Sequence, residues 1–392
     1  MDIHPGLANG PVYLDYNATT PVDPLVAAAA QPYLATQFGN PSSGHRYAAA
    51  PAQAIRIARE QVATLIGTTA DGIVFTGSGS EANNLAIRGT VLANPTHRAH
   101  VITQVTEHPA VLATCRALQR LHGVDVTVLP VDRHGLVDPR DLAAAITPHT
   151  VLVSIMLANN ETGTIQPIAD LARIAHGHGL PFHTDAAQAA GKIPVDVAAL
   201  GVDLLTVVGH KMYAPKGIAA LYVRPGLALE PVIYGGGQEH GIRAGTENVA
   251  LTVALGAAAE LARADLADGG PQRLQARRDR LHRTLTHALP GRVVLNGHPE
   301  RRLPNTLNIS ISGARGDELL AAVPDAAAST GSACHAGTTD PSPVLAAMGL
   351  DRDRALAAIR LSVGRWTSDQ DIDRAAIHLT EAARRLGSRA AI

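Results

Sequence analysis

The chain has 392 residues, 46% hydrophobic and 17% charged, with a formal net charge of −1. At about 150 residues per domain this is a globular chain of two or three domains, with no charge-driven pull toward nucleic acid or anionic membranes. Aromatics are only 3%, too few for a base-stacking platform, and no apolar run approaches a membrane span.

The N-terminus "MDIHPGLANGPVYLDY" lacks the basic-then-apolar order of a signal peptide. The chain has two cysteines, Cys115 and Cys334. A large core needs no disulfide, so free thiols in a reducing cytoplasm are expected. Downstream, short β-branched runs alternate with Ala-rich amphipathic stretches. "GIVFT" precedes "SEANNLAIRGTVLA", "HVITQ" precedes "PAVLATCRALQRLHG", and "VLVSIM" precedes "IADLARIAHGHG"; "LPFHTD", "DLLTVVG" and "IAALYVR" follow. The strands read as apolar on both faces, which predicts an α/β fold with a mainly parallel sheet covered by helices. After about residue 255 the pattern changes. A long Arg-rich helical stretch over 256–289 leads to "RVVLNG", "TLNISIS", "DELLAAV" and "RLSVGR". A last helix starts at Ser368, with Asp371 three residues on as a capping box. This predicts a large domain over 13–255 and a smaller α+β domain from 1–12 and 256–392, with the N-terminal arm against the latter.

Candidate chemistry also follows chain order. In "FTGSGSEANN", Gly77, Gly79 and Ser80 lead into a helix whose free N–H groups suit a phosphate. The same loop reads as a weak dinucleotide fingerprint, or as a plain turn with Ser80 as N-cap. His108 precedes Pro109, a helix-start position, and caps the helix or stacks on a flat ring. Cys115 shares an apolar helix face with Val111, Leu118 and Leu121 and reads as a core cysteine. Asn159 and Asn160 stand at a strand end, as turn residues or ligands. Asp185 ends an apolar strand, with Gln188 on the same loop; it is a helix cap or a partner for a buried cation.

Of the 33 Lys plus Arg, three are lysine: Lys192, Lys211 and Lys216. Only Lys forms an imine, and Lys211 directly follows a predicted strand, where ligands of open α/β sheets gather. The alternative is that all three are remnants of an arginine bias. Lys192 and Lys216 read as loop and turn positions. Cys334 lies in "STGSACHAGTTDPSP", a small, polar stretch expected to be a mobile loop near 329–343, where a free thiol suits a nucleophile. His335 beside it tunes the thiol or does nothing. Arg360 is a surface cation or a carboxylate ligand. No H-E-x-x-H motif occurs, and the spacings of His176 with His178 and His282 with His287 do not share a helix face, so no metal site is expected.

Together with "YLDYNATTPVDP" (13–24), "FGNPSS" (38–43), "GGGQEHGIRAGTEN" (235–248) and "IRLSVGR" (359–365), these segments resemble the pyridoxal 5'-phosphate-dependent cysteine desulfurases, with selenocysteine lyase as close kin. The resemblance implies a fold-type I transferase, a homodimer with sites at the subunit interface, and L-cysteine or L-selenocysteine as substrate. It implies that Lys211 carries the cofactor and moves the Cα proton, that Asp185 pairs with the pyridine nitrogen, and that Gln188 and Asn160 contact the ring hydroxyl. His108 would stack on the ring and assist proton transfer as a catalytic residue. Gly79, Ser80 and His210 would bind the phosphate, with Thr246 reaching in from the other subunit. Asn40 and Arg360 would grip the substrate carboxylate, and Cys334 would accept sulfur as a persulfide, releasing alanine. The acceptor protein beyond Cys334 stays open. Many members carry Ser, a phosphate ligand, where this chain has Val208; "VVGHK" resembles selenocysteine lyase instead, which keeps that activity as the alternative.

Overall fold

The computed structural model describes residues 3–94, 98–331 and 340–389. Eight strands follow one another through its first part: β1 (Val12–Tyr13), β2 (Ile73–Thr76), β3 (His100–Gln104), β4 (Asp125–Leu129), β5 (Thr150–Ser154), β6 (Phe182–Asp185), β7 (Leu204–Val208) and β8 (Ala219–Val223). Every residue of β2, β3, β6, β7 and β8 is buried. The apolar two-faced runs therefore sit inside a sheet covered on both sides. Its order is β2-β8-β7-β6-β5-β3-β4.

The pairs from β4 through to β7 are parallel, and β8 runs antiparallel to both β7 and β2. Two reversals restore the direction, so β2 points the same way as the parallel strands. The carboxyl ends of β2, β3, β5, β6 and β7 thus emerge at one edge, the edge where open α/β sheets bind ligands.

Local chemistry fixes the helices that leave this edge. The helix Gly79–Ala93 starts at Ser78, whose side chain accepts the N–H of Glu81; the cap is Ser78, two residues before Ser80. The helix Pro109–His122 has His108 as N-cap and Pro109 in its first turn, and stops at Gly123 with φ 64°. A left-handed residue there suits glycine, which has no Cβ to clash.

The later strands β9 (Val293–Leu295), β10 (Thr306–Ile311) and β12 (Ala358–Ser362) form an antiparallel sheet in the order β12-β10-β9. Strand β11 (Ala326–Ala327) pairs in parallel with β1, and Val12 and Leu14 join the core of this smaller sheet. The predicted single stretch 256–289 is two helices, Val249–Ala267 and Gly270–Ala288, broken at Gly269 with φ 74°. Residue 255 lies inside the first of them, and Leu255, Ala259 and Ala262 belong to the core of the large sheet. The last helix, Asp369–Arg389, starts with reciprocal bonds: Asp371 N donates to Ser368 Oγ at 3.1 Å, and Ser368 N to Asp371 Oδ2 at 2.9 Å.

Candidate active site

A cavity of about 290 Å³ lies at the shared carboxyl edge. Strand β7 ends at Val208, and one 3-10 turn, Gly209–Lys211, delivers the amine of Lys211 to the cavity wall. Its Nζ donates to the carbonyl oxygens of Asn17 and Ala18 at 2.6 and 2.7 Å. The other two lysines diverge from it. Lys216 is exposed, whereas Lys192, expected in a loop, is 7% exposed.

Beside Lys211 the helix Gly79–Ala93 opens onto the same cavity, lined by Gly79 and Ser80. Its first N–H groups have no partner within the helix. Val208 forms the floor here. A Cβ on Gly79 would stand 2.5 Å from Val208 Cγ2. Gly79→Ala is therefore expected to destabilise the chain by about 1–3 kcal/mol despite the better helix propensity of Ala. Chemical denaturation reads this as a lower midpoint; an unchanged or raised midpoint contradicts the packing.

Asp185 closes β6 and faces the cavity from the sheet. Its Oδ2 accepts from Asn83 Nδ2 at 2.7 Å and its Oδ1 from the N–H of Ala187 at 2.9 Å. It is thus a turn-capping carboxylate that also lines the cavity. His108 caps its helix by accepting the N–H of Ala110 at Nδ1, 3.1 Å. Burial holds its pKa below the usual histidine range and Lys211 pushes the same way, against Asp185. His210 is held down to about 4 by burial and then by Lys211 and Lys216. Both imidazoles are neutral near pH 7, so His108 offers a flat uncharged face and His210 a donor or acceptor.

Gln188 is buried, with Nε2 donating to Asn17 O at 3.0 Å. Asn160 lines the cavity, and its backbone oxygen accepts from Arg360 Nη1 at 3.1 Å. Arg360 is 1% exposed, so it is no surface cation. It pairs with Asp15 Oδ1 at 2.7 Å, and its Nε is buried without a partner among the described residues.

Lys211, Asp185, His108, Gln188, Asn160, His210, Gly79, Ser80 and Arg360 thus line one cavity. Asn40 and Thr246 do not. Asn40 is exposed, with Oδ1 accepting the N–H of Ser42 at 2.9 Å, and Thr246 is exposed ahead of the helix Val249–Ala267. Cys334 and His335 lie outside the described residues. Cys115 is 2% exposed, and burial, then Glu107, push its thiol up to about 12. It packs with Val111 and Leu118, whereas Leu121, expected on that face, is exposed.

Two buried residues that sequence patterns passed over complete the arrangement. Asn17 sits between the two sheets: its Nδ2 donates to Asn160 O at 3.2 Å and Thr306 Oγ1 at 2.8 Å, and its Oδ1 accepts from Asn305 Nδ2 at 2.9 Å. Asn83 orients Asp185 from the helix Gly79–Ala93. Its signal was present, since it is a polar residue beside the apolar face of Ala82, Leu85 and Ala86. Among the described residues no group of three or more His, Cys, Asp or Glu is arranged to hold a metal ion.

The chain matches the Aminotransferase class-V family over residues 12–375. It is 45% identical over 379 residues to the cysteine desulfurase IscS of Anaeromyxobacter dehalogenans (strain 2CP-C), covering 96% of this chain and 93% of that protein. Among solved structures, a NifS-like protein superposes with a TM-score of 0.88 at 34% identity, covering 95% of this chain and 98% of that one. A structure of SspA in complex with cysteine superposes with a TM-score of 0.79 at 37% identity, covering 91% and 99%.

Proposed function

The chain belongs to the class-V aminotransferase family and, within it, to the cysteine desulfurases, and from that premise we propose how its residues take sulfur from L-cysteine. One observation carries the reading. An amine (Lys211), a carboxylate (Asp185) and an open helix N-terminus (Gly79–Ser80) face a single cavity. These are the three groups a phosphorylated pyridine aldehyde asks for, and pyridoxal 5'-phosphate fits that donor set. When bound, it supplies the electron sink that accepts the pair released at the substrate Cα.

The residues divide the remaining work. Lys211 Nζ is the attachment point for the aldehyde and the base that takes the Cα proton. Asp185, fixed by Asn83 and Ala187, would hold a proton on the ring nitrogen. Gln188 and Asn160 would meet the ring oxygen, and His108 would stack on the ring. Ser80, Gly79 and the neutral His210 would hold the phosphate, with Val208 contributing shape and no donor. Arg360, whose Nε is buried without a partner among the described residues, would take the substrate carboxylate; Asn40, exposed and outside the cavity, is not placed to join it. Cys334 attacks the substrate sulfur as a thiolate: an S–S bond forms, the C–S bond breaks, and the carbon keeps the pair and is protonated to alanine.

The exposed Thr246 belongs to the site of a second copy in a homodimer. A large unit, extending past 255 through the helix Val249–Ala267, then carries Lys211 and Asp185, and a small unit built from the later chain carries Arg360 and Cys334. No helix among the described residues is long and apolar enough to cross a membrane, and a persulfide-forming thiol suits the reducing cytoplasm. The persulfide passes to an acceptor protein.

Parallel turnover of L-cysteine and L-selenocysteine tests the assignment. Equimolar alanine and sulfide from cysteine, under reductant, is expected. Turnover of selenocysteine alone would move the enzyme to the selenocysteine lyase activity that Val208 favours.

A further inference from the structure

Lys192 takes no part in the chemistry above, yet it is one of the chain's three lysines and is 7% exposed. Its Nζ donates to Gln188 Oε1 at 2.8 Å. The other end of that amide, Nε2, donates to Asn17 O at 3.0 Å, and Lys211 Nζ donates to the same oxygen at 2.6 Å. A backbone carbonyl only accepts, so Asn17 O fixes Nε2 toward itself, and the Lys192 amine donates to the carbonyl end in agreement with it. The carbonyl end of Gln188 faces Lys192, and the amino end faces Asn17 and the cavity that Gln188 lines beside Lys211. One Nε2 hydrogen goes to Asn17, which leaves the second for a ligand.

We propose that Lys192 is a positioning residue: it locks the Gln188 amide with its amino end toward the cofactor's ring oxygen and strengthens that donor. This rests on the assignment of the cavity as a pyridoxal 5'-phosphate site. A donor polarised by a cation on its own carbonyl binds an anionic oxygen more tightly. The charged groups that act on Lys192 are Lys211, from the turn after β7, and Arg360, from β12, both positive; burial first, and then these two, hold its pKa well below the usual range. A buried amine among cations is matched by an anion, and the ring oxygen, reached through Gln188, is the anion this site would bring. Behind Lys192 lies a cavity of about 240 Å³ shared with Lys211, Tyr16 and Tyr213. The side chain is therefore not wedged in place, and a methionine of similar length fits the same path.

The test is a pH titration of the holoenzyme's visible absorbance, which reports the proton shared between the Lys211 nitrogen and the cofactor. A cation or a donor near the ring oxygen favours loss of that proton, so removing either raises the midpoint. Lys192→Met is expected to raise it by about half a unit or more. Gln188→Leu raises it too, and the double variant moves no further than Gln188→Leu alone, because the two act in series. Lys192→Arg, which keeps cationic donors, stays closer to the parent. A Lys192→Met midpoint equal to the parent's, or shifts that add in the double variant, overturns the proposal. Should Lys192→Met not fold, Lys192→Gln carries the same comparison, with a smaller upward shift expected and none overturning it. A parent protein with no visible band overturns the cofactor assignment itself, and the inference with it.

Discussion

Replacing Lys211 by alanine removes the visible absorbance of the holoenzyme and lowers cysteine turnover by at least about 10⁴-fold, since one side chain supplies both the covalent anchor and the proton-transfer base. The expectation rests on placement. Lys211 stands one turn beyond β7, with its amine on the cavity wall at 2.6 Å from Asn17 O. Lys216 is exposed, and Lys192 is turned to Gln188. Neither takes over without rebuilding the loop. Lys211→Arg fails equally, because a guanidinium keeps its proton and forms no imine. Lys216→Arg retains colour and activity, as expected of an exposed turn cation. A Lys211→Ala protein that stays yellow and turns over cysteine would place the chemistry elsewhere.

Cys334→Ala is the second large effect. It is expected to lower sulfide release from cysteine by about 10³-fold or more while leaving the visible band intact, because loss of a nucleophile stops transfer without disturbing the cofactor. Cys115 offers no substitute. It is 2% exposed in the core, and its thiol is pushed up to about 12 by burial and Glu107, so almost none is thiolate near pH 7. Cysteine turnover and the absorbance spectrum are measured on the same sample. Full activity in this variant would assign the acceptor to another group.

The large sheet was legible because its strands are short, β-branched and apolar on both faces, and helix starts such as His108–Pro109 carry their own signal. Lys211 and Asp185 were legible for a related reason: Asp185 ends a strand and Lys211 stands one short turn beyond another, so finding the strands finds the residues. The break at Gly269 was not, since the Ala-rich stretch before it and the Arg-rich stretch after it both keep helical periodicity. Asn17 and Lys192 were invisible to pattern because their roles come from bonds to residues far along the chain or turned inward. Asn17 O is linked to Gln188 and Lys211, 171 and 194 residues away. Arg360 illustrates the limit of residue type. Only its burial, and its pairing with Asp15, 345 residues away, separate it from the many surface arginines.

The central claim is that Lys211 carries pyridoxal 5'-phosphate. Borohydride reduction of the purified holoenzyme, followed by digestion and peptide mass spectrometry, tests it most directly, because the chain has only three lysines to choose from. The cofactor mass is predicted on Lys211, located by fragmentation of the peptide, and absent from Lys192 and Lys216. A reduced adduct on either of the latter, or on none of the three, would contradict the account.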